Sequence, residues 1–438
     1  MATTVCKYSY IANKSYLLKK SVLVMILDEV MNMDVVSIGR FLCETRKFYR
    51  LTQEELAIKL SVSRQAISKW ETGVALPDIE TFFQLSKLYG MTVNDMIEAD
   101  LRKIHHRISP IRNDNSSKSK KIIVIGCGRW GTFIGWYLDR IGHDVTIYGR
   151  NNSQNMKRLT EERSNEYISL GDSINLTNSL EEAIESDIII ISINSQGLKT
   201  LIDELADLNL KQKRIVLCMK GIDISSGRRL SQIVDDGMNH TNKTAVWLGP
   251  GHVEDFYTGI PNCMVIDSID EMVKKEIVDI FSSDLIRFYF GMDVVGNEIG
   301  AAAKNVIGIA AGMLDALNRS ALKGALMTRG PREIARLIKA MGGNELTAYG
   351  LCHLGDYEAT LFSEHSHNRL FGEKYILKQP YDKLAEGYYT VKALINLGKN
   401  YGVDLPICNA IFSILYCDED AEMVLDRLFK RSLKEEFM

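Results

Sequence analysis

The sequence predicts a multidomain protein in which a small all-α domain comes first, an α/β domain follows, and an all-α domain ends the chain. Three observations carry this prediction. Five short amphipathic segments lie between residues 34 and 99, a β-branched run with a glycine turn begins at Lys120, and a long segment rich in alanine and glycine begins at Asn297. The predicted boundaries are 1–33 for an N-terminal extension, 34–99 for the first domain, 100–119 for a linker, 120–295 for the α/β domain and 296–438 for the helical domain.

Composition limits the class of protein. The chain has 438 residues, of which 46% are hydrophobic and 25% charged, with a net charge of -3. These values predict a soluble globular protein and exclude wholesale polyanion binding, although one local DNA-binding domain stays compatible with them. The eight cysteines show no CxxC spacing, so we expect reduced thiols and no metal site. The apolar run at 21–27 stops at Asp28, and we expect a cytoplasmic protein without a membrane span.

The first domain is predicted to contain five helices, at 38–48, 52–60, 64–71, 78–89 and 93–98. Thr52 and Glu55 have the spacing of a capping box at the start of the second helix. Gly73 follows the third helix where a C-terminal glycine would end it. A basic linker follows, which serves either as a solvated tether or as an additional source of non-specific DNA affinity.

Residues 52–73 read TQEELAIKLSVSRQAISKWETG. This segment resembles the helix-turn-helix of the phage-repressor-like (XRE-type) family of bacterial DNA-binding domains. The resemblance implies double-stranded DNA as a partner, a homodimer, and a third helix that enters the major groove. Base contacts would come from Arg64, Gln65 and Ser68, and phosphate contacts from Gln53 and Lys69. Ile67 and Trp70 would face the core, and a helical domain used for protein contacts is the alternative.

The glycine turn of the second domain predicts a dinucleotide-binding, Rossmann-like fold. An apolar strand at 122–125 precedes Gly126, Gly128 and Gly131, a helix is predicted at 130–140, and a second strand at 144–148. Glycines allow the backbone to approach a pyrophosphate, whose charge is met by the N–H groups of the helix start. Arg150 stands where an NAD-specific fold carries an acid, which favours NADP(H) or mixed use of NADP(H) and NAD(H); a plain surface arginine is the alternative.

Two lysines lie where a ligand would bind. Strands are predicted at 187–193, 215–219 and 245–248, and Lys220 follows the second of them, at the carboxyl end where open α/β sheets bind ligands. Lys304 lies inside the predicted helix 297–318, whose small residues require close packing. A buried ammonium is costly without a partner, so we predict a functional role for Lys304.

From residue 122 to about 415 the chain is similar to the bacterial NAD(P)-dependent glycerol-3-phosphate dehydrogenases. The similarity rests on the segments GCGRWG, SINSQ, MKGI, GNEIGAAAKNVIGIAAG, MTRG, LGDYEAT, SHNRLFG, LAEG and GVDLPIC, in that order. It implies a Rossmann domain followed by a helical substrate domain. It also implies NAD(P)H-dependent interconversion of dihydroxyacetone phosphate and sn-glycerol 3-phosphate, with a small phosphorylated substrate.

The resemblance also assigns roles to residues. Lys304 would exchange the proton at the C2 oxygen, Lys220 would hold substrate beside the cofactor, and Asp356 would contact substrate and orient the lysine. Further substrate contacts would come from Gly249, Asn305, Thr360, Ser366 and Asn368. The cofactor would be lined by the three glycines of the turn, Lys220, Arg129, Trp130, Arg150, Val253, His367, Leu384 and Glu386.

Two departures from the family pattern keep a second hypothesis open. His367 stands where the family carries arginine, and Gly251 stands where it carries serine, so a permanent charge and a hydroxyl are missing near the ligand. Arg369 is a candidate for the missing charge. The first hypothesis is an active dehydrogenase fused to a DNA-binding domain. The second is a transcription regulator that senses NAD(P)H or a sugar-phosphate-like ligand with little catalysis.

Overall fold

A computed structural model describes residues 34–49, 51–89, 91–99, 119–238, 241–257, 259–364 and 366–432. The predicted extension at 1–33 and nearly all of the predicted linker at 100–119 lie outside the described residues. The chain divides into two compact units, one up to residue 109 and the other from residue 110 onward.

The described residues of the first unit form five helices: α1 (Val35–Phe48), α2 (Gln53–Leu60), α3 (Arg64–Glu71), α4 (Ile79–Tyr89) and α5 (Val93–Glu98). Local side-chain chemistry sets the start of α2, because Thr52 Oγ1 accepts the N–H of Glu55 at 3.1 Å while the Glu55 carboxylate accepts the N–H of Thr52 at 2.7 Å. Gly73 adopts a φ of 71° just after α3. The predicted capping box and the terminating glycine are therefore confirmed.

A buried ion pair joins the first three helices of this unit. The Arg46 guanidinium on α1 donates to both carboxylate oxygens of Glu71 on α3, at 2.5 and 2.9 Å. Gln53 at the start of α2 donates to the same carboxylate at 2.8 Å. Burial raises the pKa of Glu71, but the hydrogen bonds from Arg46 and Gln53 outweigh this effect, so the pKa is lowered overall. Glu71 therefore fixes the angle between the helices, a role that the sequence pattern does not reveal.

The second unit begins with an eight-stranded sheet in the order β3-β2-β1-β4-β5-β6-β7-β8. β1 to β6 run parallel to one another, β7 is antiparallel to β6, and β8 pairs parallel with β7. The strands are β1 (Lys121–Ile125), β2 (Asp144–Tyr148), β3 (Asn175–Thr177), β4 (Ile188–Ile191), β5 (Arg214–Leu217), β6 (Lys243–Leu248), β7 (Asn262–Asp267) and β8 (Ile286–Phe290).

Helices cover both faces of the sheet, because its central strands alternate between two separate hydrophobic cores. The helices are α6 (Arg129–Arg140), α7 (Gln154–Glu162), α8 (Glu182–Glu185), α9 (Leu198–Ala206), α10 (Leu230–Gly237), α11 (Val253–Tyr257) and α12 (Glu271–Phe281). Two strands are shorter than predicted. β4 ends at Ile191, and the chain then turns into the 3-10 segment Ser195–Gly197. β5 ends at Leu217, and Cys218 and Met219 line a cavity instead.

The remainder of the second unit is helical. Its helices are α13 (Val294–Ala316), α14 (Lys323–Ala340), α15 (His367–Ile376), α16 (Glu386–Tyr401), α17 (Pro406–Tyr416) and α18 (Ala421–Phe429). α13 starts before the predicted position because the Asp293 side chain caps it by accepting the N–H of Gly296 at 3.0 Å. α13 is long and apolar enough to cross a membrane, but 83% of its most apolar stretch is buried inside the protein, as in a core helix.

Polar contacts attach α13 to the sheet domain. Glu298 on α13 accepts hydrogen bonds from the N–H and the hydroxyl of Ser231 at the start of α10, at 2.9 and 2.6 Å. The Arg229 guanidinium completes this buried cluster at 2.5 Å. Removing either partner of a buried ion pair leaves an uncompensated charge, so the loss of Arg229 or Glu298 should weaken the packing of α13 against the sheet domain.

Candidate functional site

The glycine turn lies between β1 and α6, where the strand order of the sheet reverses. Gly126 adopts a φ of 124°, and a Cβ there would lie 2.1 Å from the Ser192 carbonyl oxygen at the end of β4. A Cβ on Gly131 would lie 2.0 Å from the carbonyl oxygen of Gly126. These two glycines are therefore required by packing. Gly128 differs, because a Cβ there would meet nothing within 4 Å and would point into open space.

A cavity of about 670 Å³ extends from this turn to the helical domain. Its walls include the free N-terminus of α6 and the end of β2, so the space fits a dinucleotide with its pyrophosphate over Gly128. The predicted site residues that line this cavity are Gly126, Gly128, Arg129, Trp130, Gly131, Arg150, Lys220, Asn305, His367, Asn368, Leu384 and Glu386.

Two lysines and one aspartate meet beside the cavity. The Lys220 ammonium lies 2.6 Å from Asp356 Oδ2 and donates to the Gly249 carbonyl at 2.7 Å. The Lys304 ammonium lies 3.2 Å from the same Oδ2 atom and donates to Thr360 Oγ1 at 2.8 Å. One carboxylate oxygen thus serves two ammonium groups contributed by residues far apart in the chain.

The environment of Lys304 prepares its amine for proton transfer. Its side chain lies on α13, only 9% exposed, and points to Asp356 and Thr360 rather than to bulk water. Burial lowers the pKa of Lys304 to about 8, although the Asp356 carboxylate opposes this shift. An amine with a pKa close to neutral pH can both give and accept a proton under physiological conditions.

A hydrogen-bonded frame surrounds these charges. Asn305 donates to the Lys220 carbonyl at 3.2 Å, and Asn368 donates to Asn305 Oδ1 at 3.0 Å. Glu386 accepts the N–H and the hydroxyl of Ser195 at 3.2 and 2.7 Å, and burial raises the pKa of its carboxyl group. The sequence predicted a loop that begins at Ser195, but it did not assign Ser195 to the site.

Three predicted residues lie away from their expected positions. Val253 is 1% exposed and packs in the core of the sheet domain, so its side chain does not line the cavity. Ser366 caps α15, because its hydroxyl accepts the N–H of Arg369 at 3.3 Å. The Arg369 guanidinium binds Asp315 at 2.7 Å, so it is committed to another partner and does not replace the charge missing at His367.

Glu254 was missed at the sequence level. It forms an ion pair with Arg129 of the glycine turn, and the guanidinium of Arg129 lies 4.7 Å from the ring centre of Tyr167. Burial, with a further contribution from Arg129, lowers the pKa values of both His252 and His367. Both imidazoles are therefore neutral at pH 7. Tyr167 and Glu254 are far from Arg129 in sequence, and no local pattern connects them to it.

The first unit presents its predicted recognition helix to solvent. Arg64, Gln65 and Lys69 on α3 are exposed, and Ser68 is half-buried. Ile67 is 1% exposed and belongs to the core, as predicted. Gln53 differs from expectation, because its amide group is engaged by the buried Glu71 carboxylate.

Comparison with known proteins identifies the second unit. The family model for the N-terminus of NAD-dependent glycerol-3-phosphate dehydrogenase matches residues 121–274, and the model for its C-terminus matches residues 293–426. A glycerol-3-phosphate dehydrogenase (NAD(P)+) from Pelodictyon phaeoclathratiforme is 32% identical over 330 residues, which cover 72% of this chain and 99% of that protein. The chain belongs to the NAD(P)-dependent glycerol-3-phosphate dehydrogenase family.

Other relatives of this dehydrogenase agree with the assignment. The enzyme of the same name from Fusobacterium nucleatum is 33% identical and covers 72% of this chain and 98% of its own length. The crystal structure of glycerol-3-phosphate dehydrogenase from Coxiella burnetii superposes with a TM-score of 0.67 at 25% identity, covering 72% of this chain and 99% of that one. A helix-turn-helix family model matches residues 46–96, outside both dehydrogenase matches.

The two departures of this dehydrogenase have structural partners. His367 Nδ1 lies 3.0 Å from the hydroxyl of Tyr381, which also donates to the His367 carbonyl at 3.0 Å. Gly251 has a φ of 139°, and a Cβ there would lie 2.3 Å from the Phe256 ring. The serine hydroxyl therefore cannot be restored here without moving Phe256 or the backbone.

Proposed function

We propose that the dehydrogenase unit reduces dihydroxyacetone phosphate to sn-glycerol 3-phosphate in a reversible, NAD(P)H-dependent reaction. The observation that carries this proposal is the pair of ammonium groups on one Asp356 oxygen, next to a cavity that fits a dinucleotide. Family membership supplies the substrate class. An inactive sensor is not favoured, because Lys220, Lys304 and Asp356 contact one another in the arrangement that proton transfer requires.

Lys304 is the proposed acid in the direction of reduction. Bound NAD(P)H would supply the hydride to the carbonyl carbon of the substrate. The Lys304 ammonium donates its proton to the C2 oxygen and becomes a neutral amine, and in the reverse direction the neutral amine accepts the hydroxyl proton. The Lys220 ammonium, next to Asp356, stabilises the negative charge that develops on the oxygen.

Substrate binding is assigned to groups around these lysines. Asn305 and Asn368 line the cavity and can turn amide groups toward substrate oxygens. Gly249 contributes through its carbonyl, which orients Lys220. Thr360 positions Lys304, because its hydroxyl accepts from the ammonium and donates to the Asp356 carbonyl at 2.6 Å. Ser366 acts by capping α15, whose first turn carries His367 and Asn368.

NADP(H) is the proposed preferred cofactor. Arg150 follows β2, is exposed and lines the cavity, and the polar side chains of Asn152 and Ser153 lie beside it. No carboxylate lines this end of the cavity among the described residues. A guanidinium suits a 2'-phosphate, whereas NAD-specific folds place an acid at this point.

The first unit is the proposed DNA-binding module. Its exposed α3 side chains Arg64, Gln65 and Ser68 would contact base edges, and Lys69 a phosphate. Such modules read two-fold operators as dimers, so we propose a cytoplasmic homodimer. A monomeric mass by light scattering, with and without operator DNA, would contradict the dimer.

The enzyme proposal is tested by following NAD(P)H oxidation with dihydroxyacetone phosphate in the full-length protein. We expect turnover in the wild type and a loss of roughly 10² to 10⁴-fold in Lys304→Ala, because the proton donor is gone. Lys199→Ala is the matched control, since Lys199 is an exposed lysine 3.2 Å from Asp203. Equal background rates in the wild type and in Lys304→Ala would refute the proposal.

A further inference from the structure

A buried histidine and a buried tyrosine stand beside Asp356 without a role in the chemistry described above. His353 and Tyr357 are both 0% exposed. They flank the 3-10 turn Leu354–Asp356, so the carboxylate shared by the two lysines lies between them in sequence. Burying two polar side chains of this size is costly unless each polar atom finds a partner.

The hydrogen bonds of this pair fix one tautomer. His353 Nδ1 lies 2.7 Å from the Gly300 carbonyl oxygen, which can only accept, so Nδ1 carries the proton. Nε2 is then an acceptor, and the Tyr357 hydroxyl donates to it at 2.8 Å. Burial lowers the pKa of His353 to about 4, so the ring is neutral across the physiological range.

The Gly300 carbonyl, which accepts the Nδ1 proton of His353, belongs to α13, the helix that carries Lys304. In an α-helix the Gly300 carbonyl also accepts the backbone N–H of Lys304, one turn further along. A Cβ on Gly300 would lie 3.0 Å from His353 Cβ, and a Cβ on Gly330 would lie 2.7 Å from the Tyr357 hydroxyl. The turn that carries Asp356 is therefore held against α13 and α14 at points where only glycine permits this approach.

We propose that His353 and Tyr357 are positioning residues that hold Asp356 Oδ2 between Lys220 and Lys304 and thereby set the proton affinity of the Lys304 amine. This inference rests on the proposed function. The titratable groups around Lys304 are Lys220 after β5, His252 after β6, and His353 and Asp356 on the turn. Among them only Asp356 favours the charged form of the Lys304 amine. A small displacement of this carboxylate therefore changes the ratio of ammonium to neutral amine at a given pH.

The test compares Tyr357→Phe, His353→Leu and His353→Gln in the full-length protein. Loss of the Tyr357 hydroxyl or of the imidazole loosens Asp356, and the titration of Lys304 then moves to lower pH by about half a unit or more. His353→Gln retains one donor and one acceptor, so we expect a smaller shift than in His353→Leu. The readouts are the alkaline limb of the pH–rate profile for reduction and the pH dependence of Lys304 acylation, followed by peptide mass spectrometry.

Tyr137→Phe is the matched control, because the Tyr137 hydroxyl is buried in the sheet domain and donates to the Phe281 carbonyl at 2.5 Å. It should lower thermal stability without moving either pH dependence. Unchanged titration in Tyr357→Phe and His353→Leu, with stability lowered as in Tyr137→Phe, overturns the positioning role. The acylation readout needs no turnover, so an inactive wild type would refute the enzyme proposal while leaving the positioning role testable.

Discussion

The helix-turn-helix unit and the dehydrogenase site place their functional groups in opposite ways. In the first unit, Arg64, Gln65 and Lys69 are exposed neighbours on one short helix. In the second, Lys220, Lys304 and Asp356 come from three distant segments and meet at one carboxylate oxygen, with Asp356 only 1% exposed. A solvated helix face offers donors to a partner that arrives with its own charges, whereas the enzyme site must hold charges in place before the substrate enters.

In the first unit, substitutions of functional residues should therefore change function without changing stability. In the second unit, they should change both. Arg64 and Gln65 are exposed and belong to no core cluster of the described residues, so their removal should affect binding alone. Lys304 and Asp356 form an ion pair. Removing either side chain therefore leaves the other as a buried charge with a weaker set of partners. The following predictions test this contrast.

Among the effects that test this contrast, the largest is expected on operator binding. Arg64→Ala combined with Gln65→Ala should weaken specific operator affinity about a hundredfold or more, because each base contact contributes roughly 1–3 kcal/mol. Thermal stability should stay unchanged, since both side chains are exposed. Fluorescence anisotropy with operator DNA measures the affinity, and Lys87→Ala, an exposed lysine on α4, is the control. Specific binding that survives the double substitution would contradict the proposal that α3 enters the major groove.

A second prediction concerns the glycine turn. Gly128→Val should weaken NAD(P)H binding roughly tenfold or more, because the new side chain enters the space proposed for the pyrophosphate. The fold should tolerate it, since Gly128 has an ordinary φ of -77° and open space around its Cβ position. Gly131→Ala is the contrasting variant and should lose stability, since its Cβ would meet the Gly126 carbonyl. Binding by fluorescence titration and melting temperature separate the two, and intact cofactor affinity in Gly128→Val would contradict the proposed location.

The third prediction is a pH dependence confined to the dehydrogenase unit. Because the pKa of Lys304 is about 8, the ammonium loses its proton as the pH rises through this value. Reduction should therefore fall about tenfold per pH unit above pH 8, while the reverse oxidation gains from the neutral amine. Operator affinity should change little between pH 7 and 9, since Gln65 and Ser68 offer an amide and a hydroxyl to the bases. Reduction that stays constant up to pH 10 would exclude Lys304 as the acid.

The smallest effect is expected from a local cap. Thr52→Ala removes the hydroxyl that accepts the Glu55 N–H, and should cost about 1 kcal/mol of the stability of α2. Hydrogen exchange of the α2 amides should accelerate accordingly. Glu54→Ala is the control, because Glu54 lies in the same turn without a capping bond among the described contacts. Equal exchange rates in both variants would show that packing, rather than the cap, determines the start of α2.

Much of the fold could be predicted because its signals are local. The bounds predicted for the third and fifth helices and for the second strand agree with α3, α5 and β2. Strand ends were predicted less well. Residues 187–193 are uniformly apolar at their centre, yet β4 stops at Ile191 because the neighbouring strand β1 also ends there, at Ile125. The partner strand sets this limit, and the partner is not visible in the local sequence.

The candidate site was only partly predictable, for the same reason. Lys304 could be singled out because an ammonium inside an apolar helix needs an explanation. Glu254, Ser195 and His353 could not, since an acid, a serine and a histidine in short helical segments and turns carry no such signal. Val253 was misplaced because a position in a motif does not show which way a side chain points.

The sequence by itself determined the bounds of α3 and α5 and the capped start of α2, and it determined that Gly126, Gly128 and Gly131 form a turn after a strand. Caps, glycines and periodic apolar residues act over a few residues, so their effects can be read along the chain. Only the tertiary structure decided that one oxygen of Asp356 lies between Lys220 and Lys304, that Arg369 belongs to Asp315, and that Gln53 belongs to Glu71. These choices depend on distances between segments separated by many residues, and it is packing, together with the cost of burying an unpaired charge, that selects each partner.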